Sequence, residues 1–224
     1  MLLAICVAVV LVFHSTYYEL VYVSGSSMSP TLNGSDNEVN GTVVDFGICD
    51  NHKSAIDHIK RFDIISTYYP EDYNEEGVLK ADVKRKIKRV IALPGETFTI
   101  NQGLLSVKEG DGFKSISYTF KVPETNAKDT ATPITLAENE YWVLGDNRVN
   151  SKDCAVINKP IAKKNIVGVL VAIEGTAQIK QTYKCSSCGK KYQVNPNQCS
   201  KCGSENITVK TDLVNKQYSW PKFF

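Results

Sequence analysis

The chain is poor in histidine, nearly balanced in charge, and short of apolar runs long enough to cross a bilayer unaided. Three histidines occur in 224 residues, His14, His52 and His58. None has a triad-like setting around it, so a histidine-activated nucleophile has no support. A net charge of +2 argues against a strong nucleic-acid or acidic-surface partner. Met1 to Phe13 is uncharged and almost wholly apolar, yet a spanning helix needs about 20 residues. It spans only by running on through His14 to Tyr18, where Tyr17 and Tyr18 suit a membrane interface, or with residues ahead of Met1. The segment lacks the positive start and small-x-small exit of a cleavable secretory signal, and no basic residue precedes it to orient it. The later run Ile166 to Ile173, eight residues, is too short for a second span and reads as a buried closing strand.

What the chain does have is three motifs. Ser24-Gly25-Ser26-Ser27-Met28-Ser29-Pro30-Thr31-Leu32 sets a cluster of hydroxyls on a Gly-Pro turn after an extended apolar segment. A serine there needs a base to take its proton. Lys84-Arg85-Lys86-Ile87-Lys88-Arg89-Val90-Ile91-Ala92-Leu93-Pro94-Gly95-Glu96 runs a basic stretch into an apolar strand, and a lysine becomes a base only where burial and nearby positive charge lower its pKa. Period-2 alternation puts Lys84, Lys86 and Lys88 on one face and Arg85, Ile87 and Arg89 on the other. The third motif is Gly145-Asp146-Asn147-Arg148-Val149-Asn150-Ser151-Lys152-Asp153.

Together, over about Tyr22 to Ile173 and in the same order, these stretches resemble the motifs of type I signal peptidases, the membrane-bound Ser/Lys endopeptidases of bacteria. Lys-Arg at the second motif resembles the bacterial branch rather than the histidine-using branch of the endoplasmic reticulum. The resemblance implies Ser27 as nucleophile and Lys88 as general base. To act near pH 7 to 8, Lys88 must lose about 2 to 3 pH units from about 10.4. Ser151 is implied to position the lysine amine, and Arg89, Asp146, Arg148 and Asp153 to be structural groups at the site. Arg89 is expected to pair with an acid of the third motif. The backbone N–H of Ser27 is the expected oxyanion donor; the second donor is unassigned, because Gly25 stands where some members carry serine. Cys154-Ala155 replaces the Ser-Arg that often follows the second aspartate, leaving Asp153 without its usual arginine; Arg89 or Arg148 could substitute. Phe62, in Ile59-Lys60-Arg61-Phe62-Asp63, stands in place of a family glycine.

Glu19 to Val23, Thr42 to Phe46 and Glu140 to Leu144 read as strands, and Thr97 to Ile100 with Leu104 to Val107 as a hairpin about Asn101-Gln102-Gly103. Lys108 to Thr132 resembles the family's variable insertion. From Gly175 the composition turns polar and basic, which reads as a linker. Of seven cysteines, Cys6, Cys49 and Cys154 are scattered, while Cys185-x-x-Cys188-Gly and Cys199-x-x-Cys202-Gly have metal-ligand spacing and resemble a zinc ribbon. Two disulfides and a rubredoxin-like iron site remain open; a thioredoxin-like pair lacks a βαβ setting. About 40 residues bury too little apolar surface to fold unaided, so a bound metal would supply stability.

The expected architecture is mainly β. An N-terminal membrane-anchor segment covers residues 1–18, a signal-peptidase-type β-rich catalytic domain 19–174, and a linker with a small C-terminal zinc ribbon 175–224. The expected partners are secretory precursor proteins and the membrane, with no nucleic acid. No cofactor is expected for catalysis, and zinc is expected as a structural ion. The implied location is the cytoplasmic membrane with the catalytic domain on its outer face, and the implied cut follows a small-x-small sequence. A self-cleaving repressor is the enzymatic rival, against which Met1 to Phe13 argues. A nucleic-acid or protein-binding ribbon is the other rival, for which Lys184, Lys190, Lys191 and Tyr192 offer little.

Overall fold

The computed structural model describes residues 17–36, 39–120 and 127–224. The anchor expected over residues 1–18 falls almost wholly outside them; among the described residues no helix is long and apolar enough to cross a membrane.

Four strands come first: β1 (Tyr18–Tyr22), β2 (Val43–Asp50), β3 (Ile64–Thr67) and β4 (Lys86–Ala92). A second group follows as β5 (Thr97–Asn101), β6 (Leu104–Glu109), β7 (Gly112–Ile116) and β8 (Ile134–Thr135). The last are β9 (Glu140–Leu144), β10 (Ile161–Ala162), β11 (Ile166–Cys185), β12 (Lys191–Tyr192) and β13 (Ile207–Phe223). The main sheet runs in the order β1-β2-β11-β3-β4-β9-β10, with β12 and β13 also paired to β11; β7-β6-β5-β8 form a second, four-stranded sheet. The architecture is mainly β, as the strand patterns led one to expect.

Alternation explains most of this. In β2 the buried Val44 and Phe46 stand either side of the half-buried Asp45 and follow the exposed Val43, the period of a strand with one covered face. The β5–β6 hairpin turns on Gln102 and Gly103, both at positive φ (50° and 75°), the conformation that two-residue hairpin turns demand. The larger core gathers Val90, Ile91, Phe98, Ile100, Trp142 and Leu144 with their neighbours. A smaller one, of Val23, Met28, Leu32, Ile64, Leu170 and Ile173, lies beneath the serine turn.

The C-terminal strands correct one sequence expectation. The closing strand does not stop at Ile173, and no linker starts at Gly175: β11 runs unbroken to Cys185 and β13 returns along it, from Cys185↔Ile207 to Ala172↔Phe223. Gly175, Ala177 and Ile179 are buried in alternation, so the polar composition belongs to the exposed positions of a hairpin. Phe62, just ahead of β3, packs on the larger core; its backbone has φ +77° and its N–H bonds the Val90 carbonyl at 2.8 Å. A bulky residue in that region carries about 1–3 kcal/mol of strain. Its ring packs against Tyr118 and Phe120, which holds it there.

Candidate active site

The serine turn leaves β1 and is fixed from both sides. Met28 and Leu32 are buried below it, and the Ser29–Pro30 bond is cis. Above, Ser26 donates to Asp36 from its backbone N–H at 3.0 Å and from its hydroxyl at 2.5 Å. The third motif closes over the turn: Asn147 N–H donates to the Ser27 carbonyl at 3.0 Å, Asn147 Nδ2 to the Ser26 carbonyl at 3.3 Å, and Asn150 Nδ2 to Ser26 Oγ at 2.8 Å. Asp36, Asn147 and Asn150 were not singled out from the sequence. Both asparagines lie inside a motif already read, while Asp36 sits in a loop that carries no signal.

Lys88, on β4, faces Ser27. Its Nζ lies 2.7 Å from Ser27 Oγ and 2.8 Å from the Ile87 carbonyl. The residue is 4% exposed. Desolvation lowers its pKa to about 8, opposed by Asp153 and Asp146 and assisted by Lys86 and Lys128. Lys86, on the same face, is held nearer the surface by Asp72, 2.5 Å away, so one strand carries one ion-paired and one desolvated lysine. An amine with such a pKa is substantially neutral near pH 8, and its lone pair can accept the proton of a hydroxyl at this distance.

Arg89 points the other way. Its Nε and Nη2 bind Asp146 at 2.8 and 2.6 Å, its Nη1 bonds the Phe62 carbonyl, and its guanidinium lies over the Phe120 ring. Arg148 is buried with its guanidinium 5.4 Å from the Tyr118 ring centre. Neither arginine serves Asp153. That carboxylate accepts from Gly145 N–H at 3.1 Å and pairs with Lys128 at 3.1 Å, a partner the sequence reading did not contain.

Ser151 is buried next to Gly145, where a β-carbon would lie 2.2 Å from its Oγ. Its hydroxyl has no hydrogen-bond partner among the described residues, so the expected bond to Lys88 is not made. Two of the amine's directions are taken by Ser27 and Ile87. Beside the dyad, a groove of about 340 Å³ runs between β1 and the start of β4, lined by Tyr22, Ser24, Ser66, Tyr68, Arg85 and Ile87 among others. Arg85 and Glu19 close one side of it with a two-pronged ion pair at 2.6 and 2.5 Å.

At the far end of β11 four cysteines converge. The sulfurs of Cys185, Cys188, Cys199 and Cys202 all lie within 4.8 Å of one another, the pairs Cys185–Cys202 and Cys188–Cys199 at 3.6 and 3.5 Å. A tetrahedral ion with metal–sulfur bonds of about 2.3 Å sets sulfurs about 3.8 Å apart, so the set fits one. The two turns repeat each other. Gly189 N–H bonds the Cys185 carbonyl and Gly203 N–H the Cys199 carbonyl, both at 2.8 Å, and both glycines have positive φ, as this turn requires. The Tyr192 hydroxyl donates to Cys199 Sγ at 3.1 Å.

Comparison with known proteins adds the following. A family model described as "Signal peptidase, peptidase S26" matches residues 1–173. The chain is similar to Signal peptidase I V of Bacillus subtilis (strain 168), 33% identical over 156 residues, 66% of this chain and 80% of that protein. It is also similar to Signal peptidase I P of Bacillus subtilis subsp. natto, 30% identical over 177 residues, 74% of this chain and 83% of the relative. A solved signal peptidase I from Enterococcus faecalis V583 aligns at 26% identity with a TM-score of 0.37, covering 50% of this chain and 96% of that one. The family match stops at residue 173, short of the cysteine turns.

Proposed function

The chain belongs to the signal peptidase family, peptidase S26, a serine endopeptidase that cleaves signal peptides from precursor proteins, and on that premise we propose that Ser27 and Lys88 carry the reaction. The observation behind this reading is the 2.7 Å separation of Lys88 Nζ and Ser27 Oγ at a desolvated amine. In the charged form the ammonium donates to the hydroxyl. Once neutral, the amine accepts the hydroxyl proton as Ser27 Oγ attacks the scissile carbonyl.

The Ser27 N–H, which no acceptor among the described residues engages, donates to the developing oxyanion. Lys88 then passes its proton to the leaving amine, the peptide bond breaks, and an acyl-enzyme on Ser27 remains. Water, deprotonated by the same amine, attacks that ester; the C–O bond to Ser27 breaks, the ammonium returns its proton to Ser27 Oγ, and the carboxylic acid product leaves. The precursor adds as a strand beside Tyr22–Ser24 and Arg85–Lys88, and small side chains ahead of the cut enter the groove between them. This accounts for cleavage after small-x-small sites.

Residues 1–18 are read as the anchor that holds the enzyme at the cytoplasmic membrane, with the catalytic sheets on the outer face where exported precursors emerge. Cys185, Cys188, Cys199 and Cys202 are read as the ligands of one structural zinc. When bound, that ion would supply folding energy to turns with little core of their own.

Incubating the purified chain with a precursor bearing an Ala-x-Ala site tests the reading. Ser27→Ala and Lys88→Ala are each expected to abolish cleavage. Activity surviving in Lys88→Ala would remove the mechanism, and recovery of the chain in the soluble rather than the membrane fraction would remove the anchor.

A further inference from the structure

A second lysine is as deeply buried as Lys88 and belongs to none of the three motifs. Lys128 is 5% exposed and lies ahead of Thr130, whose N–H bonds the Ile100 carbonyl in β5. Its Nζ donates to the Ser151 carbonyl at 2.8 Å and stands 3.1 Å from Asp153 Oδ1. The same carboxylate binds Gly145 N–H through its other oxygen. One ammonium therefore joins the insertion, the Ser151 loop and the end of β9, at the point where Cys154-Ala155 leaves Asp153 without an arginine.

We propose that Lys128 is a positioning residue of the Ser27–Lys88 centre, holding the Ser151–Asp153 loop in place and neutralising Asp153 so that no unpaired carboxylate faces the Lys88 amine. The inference rests on reading Lys88 as the base. The charged groups that bear on Lys88 are Asp153 and Asp146, which favour its ammonium, and Lys86 and Lys128, which disfavour it. Each carboxylate has its own cation: Arg89 for Asp146 and Lys128 for Asp153. Removing Lys128 deletes one repelling charge and uncovers one attracting charge. Both changes push Lys88 towards its protonated form, because an opposite charge nearby raises a lysine pKa.

The test is the pH dependence of kcat/KM on a precursor bearing an Ala-x-Ala site, between pH 6 and 10, for the wild type, Lys128→Met and Lys128→Arg. In Lys128→Met the acid limb is expected to move up by about one pH unit, so that activity at pH 7 drops about tenfold and recovers near pH 10. Lys128→Arg, which keeps the charge, restores the wild-type limb. An unmoved limb in Lys128→Met, or no rescue by arginine, overturns the proposal; a loss that is uniform across pH is the mark of a merely structural lysine. Should Lys128→Met fail to fold, the Lys128→Met/Asp153→Asn double variant decides, since it deletes both charges. Its limb is expected back near the wild-type midpoint, and a raised limb there overturns the proposal. Failure of the underlying dyad looks different, because it shows as activity retained in Lys88→Ala.

Discussion

A β-carbon placed on Gly145 would stand 2.2 Å from the Ser151 hydroxyl, and the same atom would stand 2.4 Å from the Ser27 carbonyl. The two serines approach each other across the one residue that leaves room for both. A serine side chain can rotate away, but a backbone carbonyl on a turn anchored by the buried Met28 and Leu32 cannot. Gly145→Ala is therefore expected to displace the Ser27 turn from Lys88. A shift of about 1 Å at a reacting atom costs roughly a hundredfold in rate, and that loss in kcat/KM should come with a folded protein by circular dichroism. Near-wild-type cleavage would show the turn to be more yielding than its contacts suggest.

Rate against pH follows from the amine. Lys88 must be neutral to act, and its pKa is lowered to about 8, so kcat/KM is expected to climb about tenfold per pH unit below that value and to level above it. Lys88→Arg, whose guanidinium stays charged, should be inactive across the range. A profile flat from pH 6 to 9 would contradict the assignment of Lys88.

The same lysine bears on stability with a definite sign. Its folded-state pKa lies below the ordinary 10.5, so below about pH 8 a desolvated ammonium burdens the fold, and the burden lifts as pH rises from about 8 towards 10.5. Lys88→Met should stabilise the domain at pH 7 by at most about 3 kcal/mol, with the gain shrinking at pH 10. Urea unfolding at the two pH values measures it; an equal gain at both would place its origin elsewhere than in the charge.

Metal removal separates a structural ion from a catalytic one. About one zinc per chain is expected by elemental analysis, lost in Cys199→Ser or on chelation, with the segment around residues 186–206 becoming sensitive to protease. Cleavage of a precursor should persist, because no thiolate of the cluster neighbours Ser27. Finding no metal and four oxidised cysteines would favour disulfides.

Ser27, Lys88, Arg89 and Asp146 were legible as candidates because they lie in contiguous runs whose order carries information; Ser151 lies in the same kind of run, but its hydroxyl does not make the expected bond to Lys88. The partner of Asp153 was not legible. Lys128 sits in an insertion without a pattern, and only the folded chain brings it 3.1 Å from that carboxylate. Candidates drawn from neighbouring motifs, Arg89 and Arg148, were committed to Asp146 and to the Tyr118 ring instead. The length of β11 was missed for a different reason. Gly175, Ala177 and Ile179 kept the period of a strand, but polar residues between them weighed more than the alternation. The duplicate cysteine turns were readable because the spacing itself specifies the loop.

β11 lies between β2 and β3 in its first half and carries Cys185 at its last residue. One strand carries both roles, its pairing with β13 shifting register between Ile173 and Gly175 and between Thr176 and Gln178. Beyond Gln178, its last partner in β2, the strand advances about 23 Å to Cys185 at a strand's rise per residue, paired with β13 on the way. The cysteine turns thus stand off from the catalytic sheet like the end of a ruler, and anything gripping them would be held at a set reach from the peptide bond being cut.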